Sequence, residues 1–145
     1  MNKKKLIVSF IISIIIPLIS IFSASDPISF KGGYTKAVMI NGQESISLSQ
    51  GSLIELGSIT LNAESIEIIG PNASTLEAFG SVSIKDSDKN IEIKSNKLNF
   101  NRETHLLTVD GWVEIEDLQN EMIASGGYLL YNSETGNMLL QGAAS

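Results

Sequence analysis

The stretch LEAFGSVSIKDSDKNIEIKSNKLNFNRET, Leu76–Thr104, returns as LTVDGWVEIEDLQNEMIASGGYLLYNSET, Leu107–Thr135, at an offset of 31 residues and without a gap. Nine of the 29 aligned positions are identical, among them Gly80/Gly111, Val82/Val113, Ile84/Ile115, Asp86/Asp117, Leu98/Leu129, Asn101/Asn132 and Glu103/Glu134. Ile91/Met122 and Phe100/Tyr131 keep their character. A fixed period of this length makes each copy one supersecondary unit that buries its apolar face against its neighbours. Within a copy the apolar residues alternate by two, as in Leu107, Val109, Gly111, Val113 and Ile115, and no window after residue 25 keeps a helical period for long. The expectation is an all-β chain of stacked strands.

A weaker copy precedes these two: Ile59–Ile68 lines up with Ile91–Phe100 and with Met122–Tyr131. A further unit begins at Met138, Leu140 and Gly142, which repeat Leu107, Val109 and Gly111. Turn chemistry agrees with the strand reading. Asn41-Gly42 sits between Val38/Ile40 and Ile46/Leu48, Gly70-Pro71-Asn72 closes the first copy, and Asp86–Asn90 and Leu118–Glu121 join the two passes of the later ones.

In every copy the apolar parity slips at one place. It runs Ile59, Leu61, Ala63 and then Ile66, Ile68; Ile91, Ile93, Ser95 and then Leu98, Phe100; Met122, Ala124, Gly126 and then Leu129, Tyr131. One residue inserted between two alternating stretches is what a bulge or sharp bend requires, because without it the second half would turn its apolar groups outward. Strands that bend at equivalent positions fold a sheet over on itself into a two-walled, jelly-roll-like trough with an apolar lining, with Ser95, Gly126 and Gly127 small enough to let the walls turn. An ordinary β-sandwich with a solid core uses the same aliphatic residues, so the pattern alone leaves a packed interior and a lipid groove both open.

These residues resemble the OstA-like, or LptA-like, family of periplasmic proteins that bridge lipopolysaccharide from the inner to the outer membrane. The resemblance spans roughly Phe30 to Gly142 and is carried by Ala63-Glu64-Ser65-Ile66, similar to that family's Ala-Asp-x-Ile signature, and by the Leu76–Asp86 and Leu107–Asp117 runs. The closest match is Val109–Tyr131; the family's alanine–acid pair is replaced by Ser95-Asn96 in the second copy and Gly126-Gly127 in the third. The resemblance implies a twisted β-jelly roll built from roughly 31-residue repeats, open at both ends, whose copies stack edge to edge with acyl chains in the trough.

The chain starts with Lys3-Lys4-Lys5, an apolar run from Leu6 to Phe22 and the small residues Ser23-Ala24-Ser25, which reads as a secretory signal peptide over residues 1–25 ahead of a single domain over 26–145. A retained inner-membrane anchor facing the periplasm is the alternative, since the apolar run lies at the lower edge of a membrane span. All 16 acidic residues but seven of ten basic ones follow Ser25, a formal charge of 7 − 16 = −9 on that part, which argues against nucleic acid as a partner. With no cysteine, the exported chain depends on strand pairing and apolar burial.

Motifs for chemistry are missing their parts. Asp86-Ser87-Asp88-Lys89-Asn90 opens like a calcium loop, but Ile91 stands where glycine is needed and Lys97 where a bidentate acid is needed, so a solvated hairpin turn is the better reading. His105, the one histidine, has neither cysteines nor a carboxylate pattern around it and reads as a turn residue. Asn72-Ala73-Ser74 fits a glycosylation acceptor but is explained as a turn after Pro71. The expectation is therefore no enzyme, no metal and no cofactor. Trp112 lies out of phase with Val109, Val113 and Ile115 and should point away from the trough, either as a contact surface or beneath the N-terminal strands around Phe30 and Tyr34.

The functional expectation is a non-enzymatic periplasmic carrier or bridge that shields acyl chains of lipopolysaccharide or a related envelope lipid. The trough lining is expected from Val82, Ile84, Ile91, Ile93, Leu98, Phe100, Leu107, Val109, Val113, Ile115, Met122, Leu129 and Tyr131. The sheet edges, with Ile28 and Phe30 at one end and Met138 and Leu140 at the other, lack the inward charges and prolines that protect an edge, so head-to-tail stacking with another copy or a related OstA-like domain at either membrane is expected. A structural envelope β-domain with a filled core, or an inner-membrane-anchored component of the same machinery, are the alternatives.

Overall fold

The computed structural model describes residues 28–40 and 43–142; the signal segment expected over residues 1–25 and the Asn41-Gly42 turn lie outside them. Eight strands follow one another, β1 (Ile28–Ile40), β2 (Gln43–Leu56), β3 (Ile59–Ile69), β4 (Thr75–Asp86), β5 (Ile91–Asn101), β6 (Leu106–Asp117), β7 (Met122–Asn132) and β8 (Met138–Gln141). Each pairs antiparallel with the next in one sheet of order β1-β2-β3-β4-β5-β6-β7-β8. The sheet does not close, so β1 and β8 are edges. It is curled into a twisted β-jelly roll, as the family resemblance implied.

The curl comes from a line of bulges that crosses the strands. Register shifts between Gly32 and Tyr34 in β1, Ser49 and Ser52 in β2, Asn62 and Ser65 in β3, Phe79 and Val82 in β4, Ser95 and Asn99 in β5, and Asp110 and Val113 in β6. In β3 and β5 two residues separate the flanking buried positions, Ala63 from Ile66 and Ser95 from Leu98, which is the parity slip visible in the sequence. The even strands bend as well, and there the alternation misleads. Leu107, Val109, Gly111, Val113 and Ile115 look unbroken, yet Gly111 has φ 124° and is exposed. Three residues separate the buried Val109 from Val113, Ala78 from Val82 and Leu48 from Ser52, and a three-residue detour preserves parity while still bending the chain. Left-handed backbone at Gln50 and Gly51, and at Gly80 and Ser81, makes the same turn in β2 and β4.

The bulge line divides the sheet into two walls. The first wall ends in the β2–β3, β4–β5 and β6–β7 turns, the second in the β3–β4, β5–β6 and β7–β8 turns. Four of these turns share one design. The Oδ1 of Asp86, Asn101, Asp117 or Asn132 accepts two backbone N–H groups, from the second and third residues after it, at 2.9–3.2 Å. The fourth residue after it is left-handed: Asn90, His105, Glu121 or Gly136, with φ between 54° and 77°. An Asx turn followed by one left-handed residue reverses the chain without a long loop, and it assigns His105 and the Asp86–Asn90 segment the turn roles expected of them. Successive turns are bonded to one another, Ser87 N–H to Ser58 C=O at 3.0 Å and Leu118 N–H to Asn90 C=O at 2.8 Å.

Candidate functional site

The apolar lining of the two walls forms one continuous cluster from Leu48 on β2 to Tyr131 on β7. Of the residues expected there, Val82, Ile84, Ile93, Leu98, Phe100, Leu107, Val109, Val113, Ile115, Leu129 and Tyr131 are all buried, and Ile91 packs against them half-buried. Leu48, Ile54, Leu61, Ile66, Ile68, Leu76 and Ala78 complete the lining from the earlier strands. Met122 stands apart, 65% exposed. Among the described residues, Met138–Gln141 of β8 pair only with Tyr128–Tyr131 of β7, which leaves the start of β7, where Met122 lies, unpaired on that side. There the trough has a mostly apolar mouth, a cavity of about 190 Å³ lined by Ile91, Ile115, Met122, Ile123, Ala124, Met138 and Leu140 together with the acidic residue Asp117. Of the edge residues, Ile28 and Leu140 pack against the core while Phe30 and Met138 are each 39% exposed.

The outer faces carry charge. Lys85 meets Glu92 at 3.8 Å, and Lys94 meets Glu114 and Glu116 at 3.9 and 3.7 Å. Such exposed pairs stabilise little, but they mark this face as one for water. Trp112 sits in the bulge of β6, half exposed, and β1 lies at the far edge of the sheet from it, so the N-terminal strands do not cover it.

Among the described residues one carboxylate lies inside. Asp86 is 4% exposed; its Oδ2 accepts the Tyr131 hydroxyl at 2.9 Å, and its Oδ1 accepts Ser58 Oγ at 3.2 Å along with the two N–H groups of its own turn. Four donors offset the desolvation of a buried charge. Tyr131 and Asp86 belong to different walls, 45 residues apart, so the bond ties one wall tip to the other. Burial first, then the hydrogen bond to Asp86 and its charge, push the Tyr131 phenol well above its ordinary range. On the outside Asp117 has the opposite environment: donors from the Asn120 side chain and backbone and from Gln119 N–H hold its carboxyl below the usual range.

A family model described as OstA-like protein matches residues 31–135. The chain belongs to the OstA-like family. A search of curated proteins finds no match. Among solved structures the chain is similar to LptH of Pseudomonas aeruginosa, described as the LptA-homologous periplasmic component of the conserved lipopolysaccharide transport device; identity is 12%, the match covers 82% of this chain and 84% of that one, and the TM-score is 0.66. That likeness is one of fold.

In this OstA-like chain the Asp86–Tyr131 bond escapes a reading by pattern. Asp86 repeats as Asp117, a turn residue, and Tyr131 repeats as Phe100, a lining residue, so neither position looks special in its own copy. The signal was the added hydroxyl at an inward aromatic position, which needs a buried partner.

Proposed function

We propose that this protein is a non-enzymatic periplasmic carrier or bridge that holds acyl chains of lipopolysaccharide, or of a related envelope lipid, between its two walls. The observation that carries the reading is the single apolar interior that runs through every strand from β2 to β7 of an unclosed sheet and opens at the β8 end in a mostly apolar mouth. Membership of the OstA-like family and likeness to LptH support it. Taking acyl chains out of water is worth about 0.8 kcal/mol per methylene, so a chain of roughly 14 carbons needs an apolar path worth on the order of 11 kcal/mol. The walls now satisfy each other; a lipid that enters replaces wall-to-wall contacts with wall-to-chain contacts and leaves the lining covered. The acidic outer surface does not attract phosphorylated heads, so recognition rests on the tails.

In this reading residues 1–25 direct export and are removed, and edges β1 and β8 receive a second copy or another OstA-like domain at either membrane. The packed interior is also what a filled structural domain would have, and one experiment separates the two. A photo-crosslinker at Val113 or Leu129 should capture lipid in cells while one at Glu114, of opposite parity, should not. Equal capture at both parities, or none at either, would refute the carrier reading.

A further inference from the structure

Away from the mouth the interior is closed. Ile66, Ala78, Val113 and Leu129 are 0% exposed, and a close-packed lining admits nothing of acyl-chain width there until the walls part. A lipid whose tails lie inside and whose head remains in water is covalently continuous from one to the other. Wherever it sits, it spans the seam between the tips of the two walls, and entry from the side has to pass through that seam. What holds the seam therefore governs sideways passage.

Two neighbouring parts of the seam differ. At one, Tyr131 Oη donates to Asp86 Oδ2 at 2.9 Å, and Lys89 reaches over Gly136, where an added Cβ would meet Lys89 Cδ and Cε at 3.6 Å. At the other there is a cleft of about 200 Å³ with Leu56, Ile59 and Phe100 on its floor and Ser58, Arg102 and Ser133 among its rim residues. Ser58 belongs to both, since its Oγ also donates to Asp86. The repeat makes the contrast informative. Phe100 is the copy of Tyr131 without the hydroxyl, and it lines the cleft; Tyr131 makes the bond. Asp117, the copy of Asp86, spends its carboxylate on its own turn, on Gln119, Asn120 N–H and Asn120 Nδ2. The strand design therefore does not require the polar pair.

We propose that the cleft over Phe100 is a lateral portal for the acyl chains of a lipid whose head rests on the polar rim, and that the Asp86–Tyr131 hydrogen bond is the bolt that keeps the walls together beside it. A polar bolt suits a seam that must open. When the tips part, water replaces both partners' lost bond, so opening costs the net value of a hydrogen bond to a charged group, whereas an apolar closure would have to expose its whole contact area. Arg102, whose Nη1 donates to Asn72 and Ala73 carbonyls at 2.8 and 3.1 Å, shares the cleft's lining with Glu134, so the rim is polar with charges of both signs and recognition stays with the tails.

This inference rests on the carrier reading, and the test keeps the two apart. The full chain has no cysteine, so Ser58→Cys with Ser133→Cys places one thiol on each side of the cleft, to be bridged with a short bifunctional thiol reagent. Uptake of a fluorescent long-chain fatty acid is followed by stopped flow, with a photo-crosslinker at Val113 reporting occupancy of the interior. Bridging before the probe is added should slow uptake about tenfold or more, bridging after loading should slow release to a similar extent, and Tyr131→Phe should speed uptake several-fold. Unchanged uptake after bridging, with Val113 still capturing the probe, would overturn the portal and leave the carrier reading standing, with passage through the open ends. Unchanged uptake in Tyr131→Phe would overturn the bolt. No capture at Val113 in unbridged protein would bring down the carrier reading and this inference with it.

Discussion

Replacing Tyr131 with Phe removes one oxygen atom and nothing else from the interior, and its effect can be worked out at two pH values. At neutral pH the substitution breaks the 2.9 Å bond to Asp86 and leaves Oδ2 without that donor, while the Oδ1 donors from Ser58, Asp88 and Lys89 remain. A hydrogen bond to a charged group contributes about 1.5–3 kcal/mol, so a loss of about 2 kcal/mol is expected. For a domain of this size that lowers Tm by about 8 °C. The alkaline side gives an independent check. The folded phenol is held above its unfolded pKa, so its contribution is complete below about pH 10, the unfolded value, and falls by about 1.4 kcal/mol per pH unit above it. Wild type should thus lose its 2 kcal/mol advantage within about 1.5 units above pH 10, where the stability curves of wild type and Tyr131→Phe meet. Urea titrations of both proteins at several pH values measure this. Equal midpoints at neutral pH, or a difference that stays constant into the alkaline range, would refute the assignment of a buried, bonded tyrosine between the walls.

Two further outcomes concern the ends of the chain. In the β7–β8 hairpin, Asn132 N–H donates to Asn137 C=O at 2.9 Å, and with Leu129 opposite Leu140 the alternation of an antiparallel ladder points Leu140 N–H away from β7, toward the free edge. Leu140→Pro should therefore leave the monomer folded and stop head-to-tail growth, seen as loss of the concentration-dependent light scattering that wild type shows; a variant that polymerises as well as wild type, or a wild type monomeric throughout, would sink the stacking model. Intact-mass measurement of protein from the periplasmic fraction should find a mature chain beginning after Ser25, and a membrane-bound species that keeps Met1–Phe22 would favour the anchored alternative.

The repeat at an offset of 31 residues was enough to determine that the chain is all β, that its strands stack in order and that β3 and β5 bend after Ala63 and Ser95. Alternation is a local property, dictated by the two-residue pleat, and a one-residue slip is visible without any knowledge of what lies opposite. The same locality hid the bends of the even strands, because the three-residue detour through Gly80 or Gly111 returns to the original parity. Burial of most of the expected lining was also legible, since inward parity is inherited from copy to copy. Met122 was not, because its exposure depends on how far along β7 the pairing with β8 reaches, which among the described residues is Tyr128–Tyr131. Tertiary structure alone decided which first-wall tip meets which second-wall tip. Twist and curl bring Asp86 of β4 to Tyr131 of β7, and Ile59 of β3 to Phe100 of β5, and a pairing across the interior depends on the accumulated bend of every intervening strand. A one-dimensional pattern carries the bends one at a time; only their sum in space places one hydroxyl on a buried carboxylate and leaves the neighbouring copy an open cleft.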